Sequence, residues 1–91
     1  MSAEHIEAES GSGHTVICDG KLVTIRSGRR GQHETKISIS RIASISISRT
    51  LMGGYIHFRA DGDNYQIHFS RSRKADFERL LSVIEAAMAA S

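Results

Sequence analysis

The 91-residue sequence predicts a mainly-β (α+β) domain, an antiparallel sheet or partly open β-barrel capped by one C-terminal α-helix. Two observations support this prediction. Between Thr15 and Phe69, apolar and polar residues alternate in short segments separated by turns, as half-buried strands require. Beyond Ser72 the apolar spacing becomes every third or fourth residue, as in an amphipathic helix. Because strands and helices do not alternate along the chain, the sheet is expected to be antiparallel.

The N-terminal segment has a different composition from the rest of the chain. Residues 1–13 carry Glu4, Glu7 and Glu9 and end in a Ser-Gly-Ser-Gly run. Such a segment buries too little apolar area to offset its ordering, so we expect 1–13 to be a flexible acidic tail. Residues 14–91 then form a single domain.

About six strands are expected in the domain, at residues 15–18, 21–26, 36–40, 43–48, 55–59 and 65–69. Asp19-Gly20 predicts a tight hairpin turn, and residues 61–64 divide the last two strands into a second hairpin. Ile42 is out of step with the alternation on both sides of it. It indicates either two strands joined at a corner, residues 40–42, or one long strand with a bulge.

The helix is indicated by one apolar stripe, formed by Phe77, Leu80, Leu81, Ile84 and Met88. These positions follow the helical repeat, and the charged residues of the segment lie mainly off the stripe. A helix of this kind needs an apolar surface to cover. We therefore expect it to pack across the sheet or into the open end of the barrel.

Charge and cysteine content limit the functional classes. The net charge is +2; with three of the 10 acidic residues in 1–13, residues 14–91 hold 12 basic and 7 acidic side chains. This mildly basic balance does not by itself predict nucleic-acid binding. No segment has the length and apolarity of a membrane-spanning helix, and residues 1–13 lack the features of a secretory signal. With Cys18 alone, no internal disulfide is available, so a cytoplasmic location is expected.

No catalytic residues are predicted, and the protein is not expected to be an enzyme or to need a cofactor. Cys18 has no CxxC partner and adjoins Asp19, which is unfavourable for a reactive thiolate. The serines lie in strands or polar loops without a G-x-S-x-G elbow. Asp61 and Asp63 have the positions of turn residues, not of a catalytic carboxylate pair.

His57 and His68 are a weak candidate for a metal site. A two-residue turn at 61–62 would pair His57 with Gln66, whereas a four-residue loop at 61–64 would pair His57 with His68. Only the second register brings the imidazoles together, and no third ligand is evident. We therefore expect ordinary surface histidines and no metal.

A basic loop is the candidate anion site, with its cations at Arg26, Arg29, Arg30 and Lys36. Guanidinium groups and exposed glycine amides suit anionic oxygens, such as those of a lipid headgroup or a nucleic-acid backbone. A solvated hairpin loop is the simpler interpretation of the same residues.

The candidate interaction edge is the strand that carries Ser44, Ser46 and Ser48. An open barrel leaves edge strands with free N–H and C=O groups, and these small side chains do little to block pairing. Addition of a strand from a partner, or from a second copy, is therefore easy there.

Several motifs in residues 14–85 resemble those of bacterial pleckstrin-homology-like (PH-like) domains of the DUF4429 type, found in actinobacterial and phage proteins. They are Asp19-Gly20 with Leu22-Val23-Thr24-Ile25, Ile37-Ser38-Ile39-x-x-Ile42, Gly54-Tyr55-Ile56-His57-Phe58, Ile67-His68-Phe69-Ser70 and Phe77-x-x-Leu80-x-x-x-Ile84. The resemblance implies a PH-like barrel with a capping helix and no catalytic residues. A full PH-like fold has seven strands, so the resemblance implies a further strand, from the tail or from a partner.

Together these features predict a non-enzymatic interaction module, a small bacterial or phage-encoded regulatory protein that binds a protein partner or itself through a sheet edge. The alternative is binding of a lipid headgroup or nucleic-acid backbone by the loop from Arg26 to Lys36.

Overall fold

Seven antiparallel strands in two sheets and one C-terminal helix make up the computed structural model, which describes residues 5–28 and 33–90. The first sheet contains, in chain order, β1 (His5–Glu9), β2 (His14–Asp19), β3 (Leu22–Ser27) and β4 (His33–Ser38). The second contains β5 (Ile42–Thr50), β6 (Gly53–Ala60) and β7 (Asp63–Ser70). Helix α1 (Lys74–Ala90) follows the second sheet. The antiparallel strands and the single C-terminal helix confirm the predicted fold class. The two sheets do not close into a barrel, which is consistent with a partly open PH-like fold.

Two-residue turns set the register of both predicted hairpins. In the first, Asp19 pairs with Leu22, so the turn lies one residue later than expected. In the second, Ala60 pairs with Asp63, which leaves residues 61 and 62 in the turn. Asp61 and Gly62 have φ of 53° and 82°, the left-handed conformation that a type I′ turn needs at both central positions.

The predicted corner near Ile42 is also present. The 3₁₀ turn Ile39–Arg41 separates β4 from β5, and the side chain of Ile42 is 7% exposed beneath it. The pairing of β5 with β6 shifts register between Ile42 and Ser44, where β5 begins. Two strands joined at a corner therefore describe this region, and the single long strand is excluded.

The N-terminal segment is the main departure from the predicted fold. The prediction that residues 1–13 are a flexible tail is wrong for residues 5–13, because β1 pairs with β2 along its whole length. Ala8 is 2% exposed and Ser10 is fully buried. Backbone hydrogen bonding, which composition does not reveal, offsets the cost of ordering this segment. The seventh strand of the fold thus comes from the chain's own N-terminus.

A buried serine fixes the loop after β1. The Ser10 hydroxyl accepts hydrogen bonds from the backbone N–H groups of Ser12 and His14, both at 3.1 Å. The carbonyl oxygen of Ser10 accepts from the N–H of Ser70 (2.9 Å), and Ser12 Oγ donates to the carbonyl oxygen of His68 (2.9 Å). These contacts join the first sheet to the last strand of the second.

Helix α1 covers the inner faces of both sheets. Three residues of its predicted stripe, Phe77, Leu80 and Ile84, are fully buried, and the other two are half-buried. Phe77 stacks on Phe69 of β7 with ring centroids 4.7 Å apart. The remaining buried apolar side chains come mainly from the strands: Ala8, Val16, Ile17, Cys18, Val23, Ile37, Ile39, Ile42, Ile56, Phe58, Ala60 and Ile67.

Shortening Leu80 tests the contribution of the helix. Leu80→Ala removes a fully buried side chain and leaves a cavity, so it should lower the free energy of unfolding by about 2–5 kcal/mol. Urea denaturation followed by circular dichroism measures the change. The exposed Glu85→Ala variant is the control and should stay within about 0.5 kcal/mol of the wild type. Equal midpoints for the two variants would contradict the packing described above.

Removing the Ser10 hydroxyl tests the ordered N-terminus. Ser10→Ala leaves the N–H groups of Ser12 and His14 without their acceptor, so we expect a loss of about 1–3 kcal/mol. The exposed Ser44→Ala variant should melt as the wild type does. If Ser10→Ala also melted as the wild type does, the hydroxyl would not be holding the loop.

Candidate interaction edge

Strand β5 is the edge of the second sheet. Within residues 5–28 and 33–90, β5 pairs with β6 alone. The backbone hydrogen bonds outside the strands and helices of this part of the chain do not involve β5 either. One side of the strand is therefore open to a further strand.

The register identifies which backbone groups face this open side. Thr50 and Gly53 close the β5–β6 hairpin, and the closing pair of a two-residue hairpin exchanges both of its hydrogen bonds. Bonded and non-bonded pairs then alternate along the strand. Hydrogen bonds to β6 accordingly come from Ser44, Ser46 and Ser48. The N–H and C=O groups that point away from β6 belong to Ile45, Ile47 and Arg49.

The side chains along β5 leave this edge unprotected. Ser44, Ser46 and Ser48 are exposed, as predicted from their alternation with apolar residues. No charged side chain occurs from Ile42 to Ser48. Proteins commonly blunt an edge with charge or proline, and β5 has neither over this stretch.

The other edge strands carry such protection. Strand β1 has two glutamates among its five residues, and β4 carries Glu34 and Lys36. The C-terminal end of β7 is covered by the loop that holds Ser10 and Ser12. By these criteria β5 is the edge most open to pairing among the four.

The inner side of β5 adjoins α1. Ile45 and Ile47 are half-buried and pack against the core. Arg49 Nη2 lies 2.7 Å from Glu78 Oε2 of the helix. This hydrogen bond from Arg49 lowers the pKa of the Glu78 carboxyl below its ordinary value.

The predicted anion site is only partly within the described residues, because Arg29 and Arg30 lie outside them. The two remaining cations share one carboxylate: Arg26 Nε is 2.9 Å and Lys36 Nζ is 3.5 Å from Glu34 oxygens. The hydrogen bond from Arg26 lowers the pKa of Glu34. An anionic ligand would have to compete with this carboxylate, whose role the sequence analysis missed.

The histidine pair is resolved by the register. His57 pairs with Gln66 and Tyr55 pairs with His68, so the two histidines are not directly opposite each other. The Tyr55 ring lies 5.0 Å from the His68 ring and 6.2 Å from the His57 ring, measured between centroids. The part of the chain that the structure describes contains no group of three potential metal ligands.

Two residues that were considered for catalysis, Cys18 and Asp61, lie in the core and in a turn, respectively. Cys18 is fully buried in the core. Asp61 occupies a turn with positive φ, and its carboxylate lies 3.3 Å from Arg41. Cys18 thus contributes to the core, and Asp61 belongs to the β6–β7 turn.

A second exposed surface, at residues 51–54 between two predicted strands, was not identified by the sequence analysis. Leu51 and Met52 form the two-residue turn between β5 and β6, and they are 92% and 77% exposed. Large apolar residues in so tight a turn were the available signal, since such turns favour glycine, asparagine and aspartate.

Comparison with protein families, curated proteins and solved structures finds no match for this chain. No described helix combines the length and apolarity needed to span a bilayer.

The shared carboxylate gives a prediction about Glu34. Its titration midpoint, followed by NMR of the side-chain carboxyl, should lie below the ordinary value of 4.5. Arg26→Gln should raise the midpoint more than Lys36→Gln does, because the hydrogen bond from Arg26 is the larger cause. Since the folded-state pKa is lowered, the stability from this contact is present above the unfolded-state pKa and is lost as pH falls through the folded value. A midpoint at or above 4.5 would show that the contact is absent in solution.

Proposed function

We propose that this protein is a non-enzymatic interaction module that binds a protein partner by adding a strand of the partner to β5. The open side of β5, with no charged side chain from Ile42 to Ser48, is the observation that carries the proposal. Ile45, Ile47 and Arg49 each direct one N–H and one C=O to this side, so an extended peptide finds donors and acceptors along the strand. Such main-chain pairing supplies affinity with little demand on the partner's sequence.

The surroundings of β5 suggest the side chains that the partner strand carries. Alternate residues of an added strand lie on the inner side, next to Ile45, Ile47 and helix α1. The residues between them lie beside Ser44, Ser46 and Ser48 on the outer side. We therefore expect a partner segment in which apolar residues alternate with small or polar ones.

The order of four strands, three strands and a C-terminal helix supports the proposed relation to bacterial PH-like domains. That relation is in keeping with a binding role. Anion binding by the loop from Arg26 to Lys36 is the less favoured alternative, because Glu34 already pairs with both described cations. Self-association through β5 would use the same edge and would be detected as a concentration-dependent dimer.

The proposal is tested by affinity capture from bacterial lysate at low and high salt, followed by mass spectrometry. Two variants should separate backbone pairing from side-chain recognition. Ile47→Pro removes an N–H that points to the partner and leaves the β5–β6 bonds intact, so retention should fall about tenfold or more. Ser46→Ala changes an exposed side chain alone and should retain the partner.

Thermal melting establishes that both variants are folded. If Ile47→Pro is not, Ile45→Lys replaces it, because an added charge beside the edge opposes strand addition. Equal capture by a folded edge variant and by the wild type would refute the proposal. Capture at low salt alone, lost in Arg26→Gln, would favour the anion-binding alternative.

A further inference from the structure

Two large apolar side chains at the apex of the β5–β6 hairpin are exposed and do not belong to the core. Leu51 and Met52, at 92% and 77% exposure, are the most exposed large apolar residues of the described chain. Neither belongs to the core or packs against it. They form the two-residue turn between the paired residues Thr50 and Gly53. Their presence at the apex of the β5–β6 hairpin is explained if the apex contacts something apolar.

The glycines after the apex hold it in place. A Cβ on Gly54 would lie 2.8 Å from Cζ of Phe69, and Gly53, with φ of 142°, fits directly against the backbone of β7. Side chains at these positions would push β6 away from β7. The glycine pair instead lets the start of β6 lie close to Phe69, which is fully buried. The base of the apex is therefore in contact with the core.

Three arginines lie near the apex along the chain or in space. Arg71 is adjacent, since a Cβ on Gly53 would lie 2.9 Å from its backbone nitrogen. Arg73 follows in the same 3₁₀ turn, and Arg49 precedes the apex in β5. Glu78 pairs with Arg49, whereas no carboxylate of the described residues forms an ion pair with Arg71 or Arg73. Arg71 and Arg73 therefore carry charge near the apex that no described carboxylate pairs with.

We propose that this end of the protein is a membrane-contact site, in which Leu51 and Met52 enter the interface of an anionic bilayer. An apolar tip with Arg71 and Arg73 close by matches such a surface, because acyl chains accept the tip while anionic headgroups meet the cations. A second copy of this chain is a poorer partner, since it would bring the same arginines to the contact. The site is separate from the open side of β5, so either can fail without the other.

Vesicle cosedimentation tests the proposal. Wild-type protein should sediment with phosphatidylcholine vesicles that contain about a quarter phosphatidylglycerol, more weakly at high salt, and little with phosphatidylcholine alone. The double variant Leu51→Ser, Met52→Ser should bind at least about tenfold less. Leu22→Ser is the matched control, since Leu22 is 41% exposed at the β2–β3 turn and should not contribute.

The contribution of the arginines to vesicle binding is tested separately, with its own control variant. Arg71→Gln should weaken binding to the anionic vesicles, whereas Arg59→Gln should not. Both side chains are exposed, but Arg59 pairs with Ser44 and Asn64 near the other end of β6.

A spectroscopic measurement reports insertion directly. The chain contains no tryptophan, so Met52→Trp introduces a single indole at the apex. Its emission should shift to the blue with the anionic vesicles and be quenched by brominated lipid, while that of Leu22→Trp should stay unchanged.

Three results would overturn the proposal: no wild-type binding to anionic vesicles, equal binding by the double serine variant, or an unshifted Met52→Trp spectrum. Loss of a wild-type dimer in the double variant, without vesicle binding, would assign the apex to a protein contact and would also overturn it. Circular dichroism should show all variants folded, because the substituted side chains are exposed.

Discussion

The structure depends on the burial of one apolar stripe of helix α1. Two small sheets that do not close into a barrel cannot cover both of their inner faces by themselves, and the helix supplies the missing cover. Phe77, Leu80 and Ile84 are fully buried for this reason, with Phe77 stacked on Phe69 of the last strand. Because the helix occupies the inner side, the outer face of the second sheet and the edge of β5 are left to solvent. The candidate site is thus a consequence of how the core is closed.

Features with a strong local pattern were predictable from sequence. The helical repeat identified Leu80 and Ile84, and the Asp61-Gly62 pair identified a hairpin whose type I′ geometry requires positive φ. The N-terminal strand was not predictable by the same means. It is held by pairing with β2 and by the buried Ser10 hydroxyl, and these interactions depend on neighbours distant in sequence. A composition rule based on apolar area misses a strand of this kind.

The candidate sites also differ in whether they depend on a local sequence pattern or on contacts between separate strands. The serine edge follows from alternation along one strand, so it was visible in the sequence. The neutralisation of Arg26 by Glu34 depends on cross-strand register, which was unknown until the hairpin was seen. Register also decided the histidine pair. The apex at Leu51 and Met52 escaped notice because residues 51–54 were interpreted only as a connection between strands, and the high exposure of the two side chains became apparent in the structure.

Amide hydrogen exchange of the free protein shows whether one side of β5 is open. The N–H groups of Ser44, Ser46 and Ser48 should be protected by their bonds to β6. Those of Ile45, Ile47 and Arg49 should exchange much faster, because they point to solvent. Equal protection of the two sets would mean that another element or a second copy already covers the edge, so that β5 would not be open.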